Sequence, residues 1–574
     1  MFFHLSFFII QEIDWHVNNC KQIVNIFLSS AAPESIVGTI QYLKKKADAA
    51  LRNERWAYII SGGKQGRILP AGNGEKAMRT ILHFAALDTS LTLWWEQPED
   101  APRNAAYTVL LDGRPMAAVN RTHATLEHLR PETNYDVQVC LGDELIAEAK
   151  ASTAAAKKPI DVSLPPYSAV GDGQTMNTAA LQAAIDDCGP DQEVYFPAGV
   201  YRTGGLRLHS DMTVHLAKDA VLQGTDDPLD YLPKIESRFE GTHQMCYQSL
   251  LNLGELHADA GPNCRNVLIY GEGTISGGGQ PLALNVIERE KELLKEELAA
   301  LGDKIKEYEN DHTIPGRARG RLINLSNCEN VRVTGLTLQN GASWNVHMVY
   351  SRNIVTDHCV FRSESVWNGD GWDPDSSEDC TLFASEFHTG DDSVAIKSGK
   401  NPEGNIVNRP TRRIRIFDCV SEYGLGIAIG SEMSGGVEDV KIWDCDLRHS
   451  LYGVQIKATK KRGGYVRNVS VRDCALSRFL VTAVLYNDDG EGAPVPPVFE
   501  HFRCDRVFFT GWARDYWEKE DHAVPAIQLS GFDVPGHEVR DAVFHQCAAE
   551  GEADIRLNHC RGISVEIERA EAGK

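Results

Sequence analysis

The chain has 574 residues, 42% of them hydrophobic and 24% charged, enough for several domains or one elongated repeat domain. No apolar run approaches the roughly 18 residues that a membrane span needs, and a formal net charge of −22 argues against nucleic acid as a partner. An acidic chain suits an anionic polymer only where basic residues gather at one place, as Lys457, Lys460, Lys461 and Arg462 do.

Residues 1–77 match neither pattern that follows and read as a non-native or disordered extension; the apolar start from Phe2 to Ile10 lacks the basic n-region of a signal peptide. Met78 follows Gly74-Glu75-Lys76-Ala77, which a purine-rich ribosome-binding stretch can encode, and is the expected native start. With that start no export signal precedes the domains, and a bacterial cytoplasmic location is expected; a native upstream signal would make the protein secreted. Residues 78–155 read as a small β-sandwich, with strand runs at Leu91–Trp95 and at Tyr107–Leu111 before an Asp112-Gly113 turn. The run from Leu129 to Val139, L-x-P-x-T-x-Y-x-V-x-V, resembles the tyrosine corner of fibronectin type III domains, with Trp94 as the expected core tryptophan. Residues 154–159 read as a linker.

Residues 160–574 read as a solenoid. Asn177 to Ile185 predicts a capped helix covering the exposed edge of the first coil. Short β-branched runs follow, such as Val267–Tyr270, Val331–Thr334, Ile414–Phe417, Val440–Trp443 and Val469–Arg472. Several are separated by 20 to 30 residues, as are Cys359 and Cys380, Cys419 and Cys445, and Cys445 and Cys474, a period that predicts a parallel β-helix. Seven of the 14 cysteines recur after a polar residue at the start of a coil, from Cys264 to Cys474, as a buried small-residue ladder would and a disulfide framework would not. A charged insertion at about 285–312 carries Leu294, Leu298, Leu301 and Ile305 at helical spacing and reads as an amphipathic helix for packing or partner contact.

Two acidic clusters carry the chemistry: Asn368-Gly369-Asp370-Gly371-Trp372-Asp373-Pro374-Asp375, and Gly390-Asp391-Asp392. Asp370 and Asp391 stand twenty-one residues apart, about one coil, which would bring Asp370, Asp391 and Asp392 to one patch. Crowded carboxylates repel, so at least one is expected to keep its proton near neutral pH. A protonated acid beside ionised carboxylates that position water is equipment for hydrolysing a glycosidic bond. A lone Gly-Asp-Asp is ordinarily a turn; two clusters at one-coil spacing favour a site. The Asp373, Asp375, Ser377 run lacks the glycine and the twelfth-position carboxylate of a calcium loop, and no zinc spacing occurs, so neither metal nor cofactor is expected.

These residues resemble the polygalacturonases, glycoside hydrolase family 28, over roughly 160–574. The resemblance implies an all-β fold, a right-handed parallel β-helix of the pectin-lyase-like kind after the fibronectin-like domain. It implies Asp391 as general acid, Asp370 and Asp392 as the pair that activates water, and inversion at the anomeric centre. Asn368 belongs to the same N-x-D motif, and Tyr486 matches the family's substrate-contacting tyrosine. Two motifs depart. Gly424-Leu425-Gly426 stands where the family has Gly-His-Gly, with His388 as a conceivable substitute, and Gln455-Ile456-Lys457 stands where it has Arg-x-Lys. An amide cannot replace a guanidinium that forks onto a carboxylate, so Lys457 and nearby Arg462 remain for anion recognition. The resemblance with these departures implies a leaving-group sugar other than galacturonate, rhamnose being the candidate. Arg238-Phe239-Glu240-Gly241 and the N-terminal domain resemble the bacterial exo-acting branch, which implies terminal galacturonate release from a pectic oligosaccharide. A pectate-type lyase and a catalytically weakened β-helix that binds pectic sugars are the competing readings, and the sequence leaves the oligomeric state open.

Overall fold

A computed structural model describes residues 80–308, 310–516 and 519–570. The extension before residue 78 and the proposed start at Met78 lie outside the described residues. Among the described residues no helix is long and apolar enough to cross a membrane.

The N-terminal unit is two antiparallel sheets, one of Leu82–Ala86, Leu91–Trp95 and His123–Leu126, the other of Tyr107–Leu111, Arg114–Val119, Asn134–Leu141 and Glu144–Ser152. Tyr135 Oη accepts a hydrogen bond of 3.0 Å from the Arg130 amide, closing the corner anticipated from Leu129 to Val139. The core tryptophan is Trp95, fully buried and edge-on to Tyr107 at 5.3 Å. Trp94 was expected in that core. Neighbouring residues of a strand face opposite ways, and Trp94 packs outward against Val355, Phe383, Phe417 and Trp443 of the solenoid. Those rings form a stacked ladder, Phe383 on Phe417 at 4.9 Å and Phe417 on Trp443 at 4.3 Å. Polar ties flank it: Arg121 reaches Asp418 at 2.6 Å, and Trp443 Nε1 donates to Thr122 Oγ1 at 2.7 Å.

The solenoid winds two parallel sheets of 25 and 11 strands around one apolar core. Apolar residues, mostly β-branched, hold the same inward position coil after coil, as in Val331, Ile354, Cys380, Ile414, Val440, Val469 and Phe502. Every described cysteine is a free thiol, and most are buried in this stack, Cys264 opposite Cys328 among them. The helix Thr178–Asp186 buries Leu181, Ala184 and Ile185 at the end of the core. Asn177 does not cap it with its side chain; the carboxamide holds the Val170 and Thr175 backbone instead.

The insertion also differs from expectation. Its helix begins at Gly279 and buries Leu282, Ala283, Val286, Ile287 and Glu290, whereas the following helix Lys295–Leu301 buries nothing. Leu294, Leu298, Leu301 and Ile305 are only half-buried. A buried hydrogen bond from Tyr247 to Glu290 and a 2.7 Å pair from Lys234 to Glu290 pin the first helix and leave the leucine stripe little to cover.

Candidate active site

The site lies on the eleven-stranded sheet, where one outward row runs Asn324, His347, Asp373 and another carries Val349 and Asp375. Trp372 pairs with Val394 and Asp375 with Lys397, so Asp370 falls in register with Asp392, not with Asp391 as the motif spacing suggested. The Gly371 amide bonds the Asp392 carbonyl at 3.0 Å, which fixes that stacking. Beyond Asp373 the row continues through Ala395, Ala428, Gln455 and Leu480. Two alanines therefore floor the space between an acidic end and an amide end.

Three carboxylates were expected here and a fourth joins them. Asp370, Asp373 and Asp392 are buried, and Asp391 keeps an exposed edge. Lys397 stands among them, its Nζ 3.3 Å from Asp370 and 3.5 Å from Asp373, over the Trp344 ring at 4.6 Å. Burial pulls the Lys397 pKa down, but Asp373, Asp370 and Glu432 outweigh it and hold it well above the ordinary value. Burial, then the charge of Asp373, keeps Asp370 well above the usual carboxylate range. Burial lifts Asp373 to about 7 against the pull of Lys397. Burial and then Asp392 lift Asp391 to about 6, with Lys457 and Lys397 opposing.

A carboxyl whose folded pKa lies above the unfolded value of about 3.9 loses stability as pH rises across that window. For Asp373 the cost is absent below about pH 4 and complete above its folded value of about 7. Asp373→Asn is therefore expected to raise the urea midpoint at pH 8, with the gain vanishing on titration below about pH 4. An equal or lower midpoint at pH 8 would mean that Lys397 fully compensates the charge.

The residues named from sequence fall into three groups. Asp391 accepts 3.0 Å from the Asp392 amide and lies 3.5 Å from Asn368 Nδ2, while Asn368 Oδ1 takes 2.7 Å from Arg319. Asn368 thus orients Asp391, with its amide already occupied on both sides. Lys457 donates 2.8 Å to Asp392 and is buried, so it clamps a carboxylate of the cluster. Tyr486 is partly exposed; loss of solvent around its phenol, with Asp392 near, raises it to about 12 against the pull of Lys457. Gln455 is buried with Oε1 unpartnered among the described residues.

Two expectations fail. Arg462 does not face a ligand space: it is fully buried, and its guanidinium is spent on the Ser431 carbonyl at 2.8 Å, Asn401 at 2.6 Å and the Asn487 carbonyl at 2.5 Å. His388 turns to Glu386 and Glu364 on the other sheet and cannot stand in for a histidine at position 425. Leu425 itself packs with Leu451 and Ala513, under the hairpin Trp512–Asp515 and Glu520–Ala523.

Sequence reading missed Asp373, Lys397 and His347. Asp373 stood in the first quoted motif and Lys397 five residues after the second, and their alternation with buried residues on a strand was the available signal. His347 is fully buried 3.5 Å from Asp375, pushed by burial to about 4 and therefore neutral. Both His347 nitrogens, both Asp373 oxygens, Asp370 Oδ1 and Asp392 Oδ1 have no hydrogen-bond partner among the described residues. Buried polar atoms ordinarily meet protein, ordered water or a ligand, so this cluster has unfilled hydrogen-bonding capacity for water or substrate. Among the described residues no group of three or more His, Cys, Asp or Glu side chains is placed to hold a metal ion.

Three excursions are tied together beside the cluster. The hairpin Ile235–Phe239 and Thr242–Cys246 inserts Arg238 onto Asp375 at 2.9 Å, and its Glu240 meets Arg317, just after the insertion, at 2.7 Å. Arg317 continues to Asp489 at 2.9 Å, Lys400 also pairs with Asp489, and Asn487 of that same loop donates 2.6 Å to Glu432.

A parallel β-helix carrying buried, proton-holding carboxylates against two lysines defines a class of carbohydrate-active proteins. The family model described as glycosyl hydrolases family 28 matches residues 216–489, and one described as rhamnogalacturonase A/epimerase, pectate lyase-like, matches 162–215. Over residues 216–489 the chain is therefore similar to glycosyl hydrolases family 28. It is 34% identical over 343 residues to a probable polygalacturonase of Vitis vinifera, covering 57% of this chain and 63% of that protein. It is 24% identical to an exo-poly-alpha-D-galacturonosidase of Dickeya chrysanthemi, over 77% of this chain and 82% of that one. In fold it is similar to the family 28 exopolygalacturonase of Yersinia enterocolitica, with a TM-score of 0.70 at 22% identity, covering 85% of this chain and 98% of that chain.

Proposed function

We propose that the protein hydrolyses the bond to a terminal galacturonate in pectic oligosaccharides, with Asp391 as the acid. One observation carries this: Asp391 keeps an exposed edge and a pKa of about 6, beside an Asp392 clamped by Lys457. The first can give a proton to the leaving oxygen near neutral pH; the second accepts one from water. Asp370 and Asp373 both stand against Lys397, at 3.3 and 3.5 Å from its Nζ, and complete the acidic end of the site. The family precedent for this pair of roles is inversion.

Exo action is supported by the ion-paired hairpin, insertion and 485–495 loop beside the cluster, and by the exo-acting name of the Dickeya relative. The acceptor sugar is read from Leu425 and Gln455. An apolar wall and an amide acceptor receive a methyl group and hydroxyl protons and offer a carboxylate no charge, so rhamnose is the leaving-group sugar we infer.

The test is a product profile by chromatography and mass on oligogalacturonides and on rhamnogalacturonan fragments. Single galacturonates from the rhamnose-containing fragments alone are expected. Release from plain oligogalacturonides as well would keep the hydrolase and discard the reading of Leu425 and Gln455. Growth of ultraviolet absorbance during digestion would replace hydrolysis with elimination, and binding with no turnover would leave a sugar-binding protein.

A further inference from the structure

We propose that Arg478, seated over the ring of Tyr452, is a specificity residue of the acceptor side that holds the carboxylate of the second sugar beyond the scissile bond. This rests on the hydrolase reading and deepens it.

Along the eleven-stranded sheet, the coil of Asp391 and Asp392 is followed by those of Leu425, Gln455 and Arg478, at about 4.8 Å per strand. Arg478 stands just before the strand Phe479–Ala483, and its carbonyl accepts 3.2 Å from the Val454 amide. The guanidinium carbon lies 4.9 Å from the centre of the Tyr452 ring, which belongs to the preceding coil. Burial raises the pKa of that phenol, and Lys457, Arg478, Asp392 and Asp391 all act on it, so the pair lies within electrostatic reach of the catalytic carboxylates. The ring also packs on the Leu425, Leu451 and Ala513 wall.

What singles Arg478 out is that its charge is uncommitted. Arg238, Arg317 and Arg462 all spend their guanidinium on carboxylates or carbonyls. Arg478 makes no ion pair with the described residues, and its Nε is buried without a hydrogen-bond partner. A partly desolvated cation without a counter-charge is costly to keep, and a planar guanidinium fork fits a carboxylate with two charge-assisted bonds. Leu425 and Gln455 give the first acceptor sugar no charge, so the fork meets the next one. The order read along the sheet is then uronate, neutral sugar, uronate.

Three substrates test this: galacturonosyl-rhamnose, galacturonosyl-rhamnosyl-galacturonate, and that trisaccharide with the carboxyl of its last sugar reduced to the alcohol. Arg478→Gln is expected to raise KM for the uronate-ended trisaccharide about ten- to hundred-fold, the worth of a charge-assisted bond, with kcat unchanged. The other two substrates should be unaffected, and Arg478→Lys should recover part of the loss. Equal losses on all three would mean a structural role, and no change on any would remove Arg478 from the subsite; either overturns the proposal. Calorimetry of the same sugars on Asp391→Asn with and without Arg478→Gln separates this from the reaction itself. A selective affinity loss there supports the subsite even if the wild-type protein turns nothing over, and equal affinities refute it.

Discussion

Replacing Asp391 with asparagine is expected to lower kcat by roughly 10²–10⁴-fold, the usual contribution of a positioned general acid. The amide keeps the shape of the carboxyl, and its single oxygen can still accept from the Asp392 amide while the long 3.5 Å contact from Asn368 is given up, so the fold should survive and KM should change little. The pH profile gives the sharper reading. Burial and Asp392 hold Asp391 near 6, so its protonated form, and with it kcat/KM, should fall away as pH rises through that value. Because Asp370, Asp373 and Asp391 titrate as one interacting set, the limb belongs to the cluster and will be broad. Loss of this alkaline limb in the variant, measured with a substrate whose leaving group needs protonation, would identify Asp391 as the acid. Full activity in Asp391→Asn would assign that role elsewhere.

Arg238→Met is expected to cost about 3–5 kcal/mol, because it leaves a buried carboxylate without its partner. Arg238 and Asp375 are both fully buried, 2.9 Å apart, and Arg238 also bonds Ser376 at 2.9 Å and lies over the Tyr350 ring. Burial raises the pKa of Asp375, and Arg238 with His347 more than reverses that, leaving it below the ordinary value. A carboxyl of depressed pKa stabilises the fold above its unfolded value, about 3.9, and that contribution is lost as pH falls through the folded one. The deficit of the variant should therefore be largest near neutral pH and shrink in acid, as read from urea midpoints at several pH values. Methionine preserves the apolar stem, so the effect reports charge more than volume. A midpoint equal to wild type at pH 7 would show that Asp375 is satisfied without Arg238. The same substitution frees the hairpin that carries Glu240 and should loosen the ion-paired ring through Arg317 and Asp489.

Much of this was legible in the sequence. A repeat of inward β-branched residues leaves a coil no choice but to stack on its neighbours, and a period-two alternation forces side chains to one face or the other. The two acidic motifs were legible for the same reason, since adjacent coils bring their ends together whatever surrounds them. The tyrosine corner was equally local, as its hydrogen bond spans only from Tyr135 to Arg130.

The tertiary structure decided what each charged or aromatic side chain spends itself on. Arg462 and Arg478 are the same residue in similar company, yet one is locked to Ser431, Asn401 and Asn487 and the other is left over Tyr452. Trp94 and Trp95 differ only in the face they take, and the aromatic ladder that receives Trp94 comes from coils hundreds of residues later. Asp370 met Asp392 and not Asp391 because strand pairing, not motif spacing, sets the register. Periodicity is a property of neighbours along the chain and can be read there. The partner of a buried charge is chosen by which distant atom arrives within about 3 Å of it, and only the folded chain determines that.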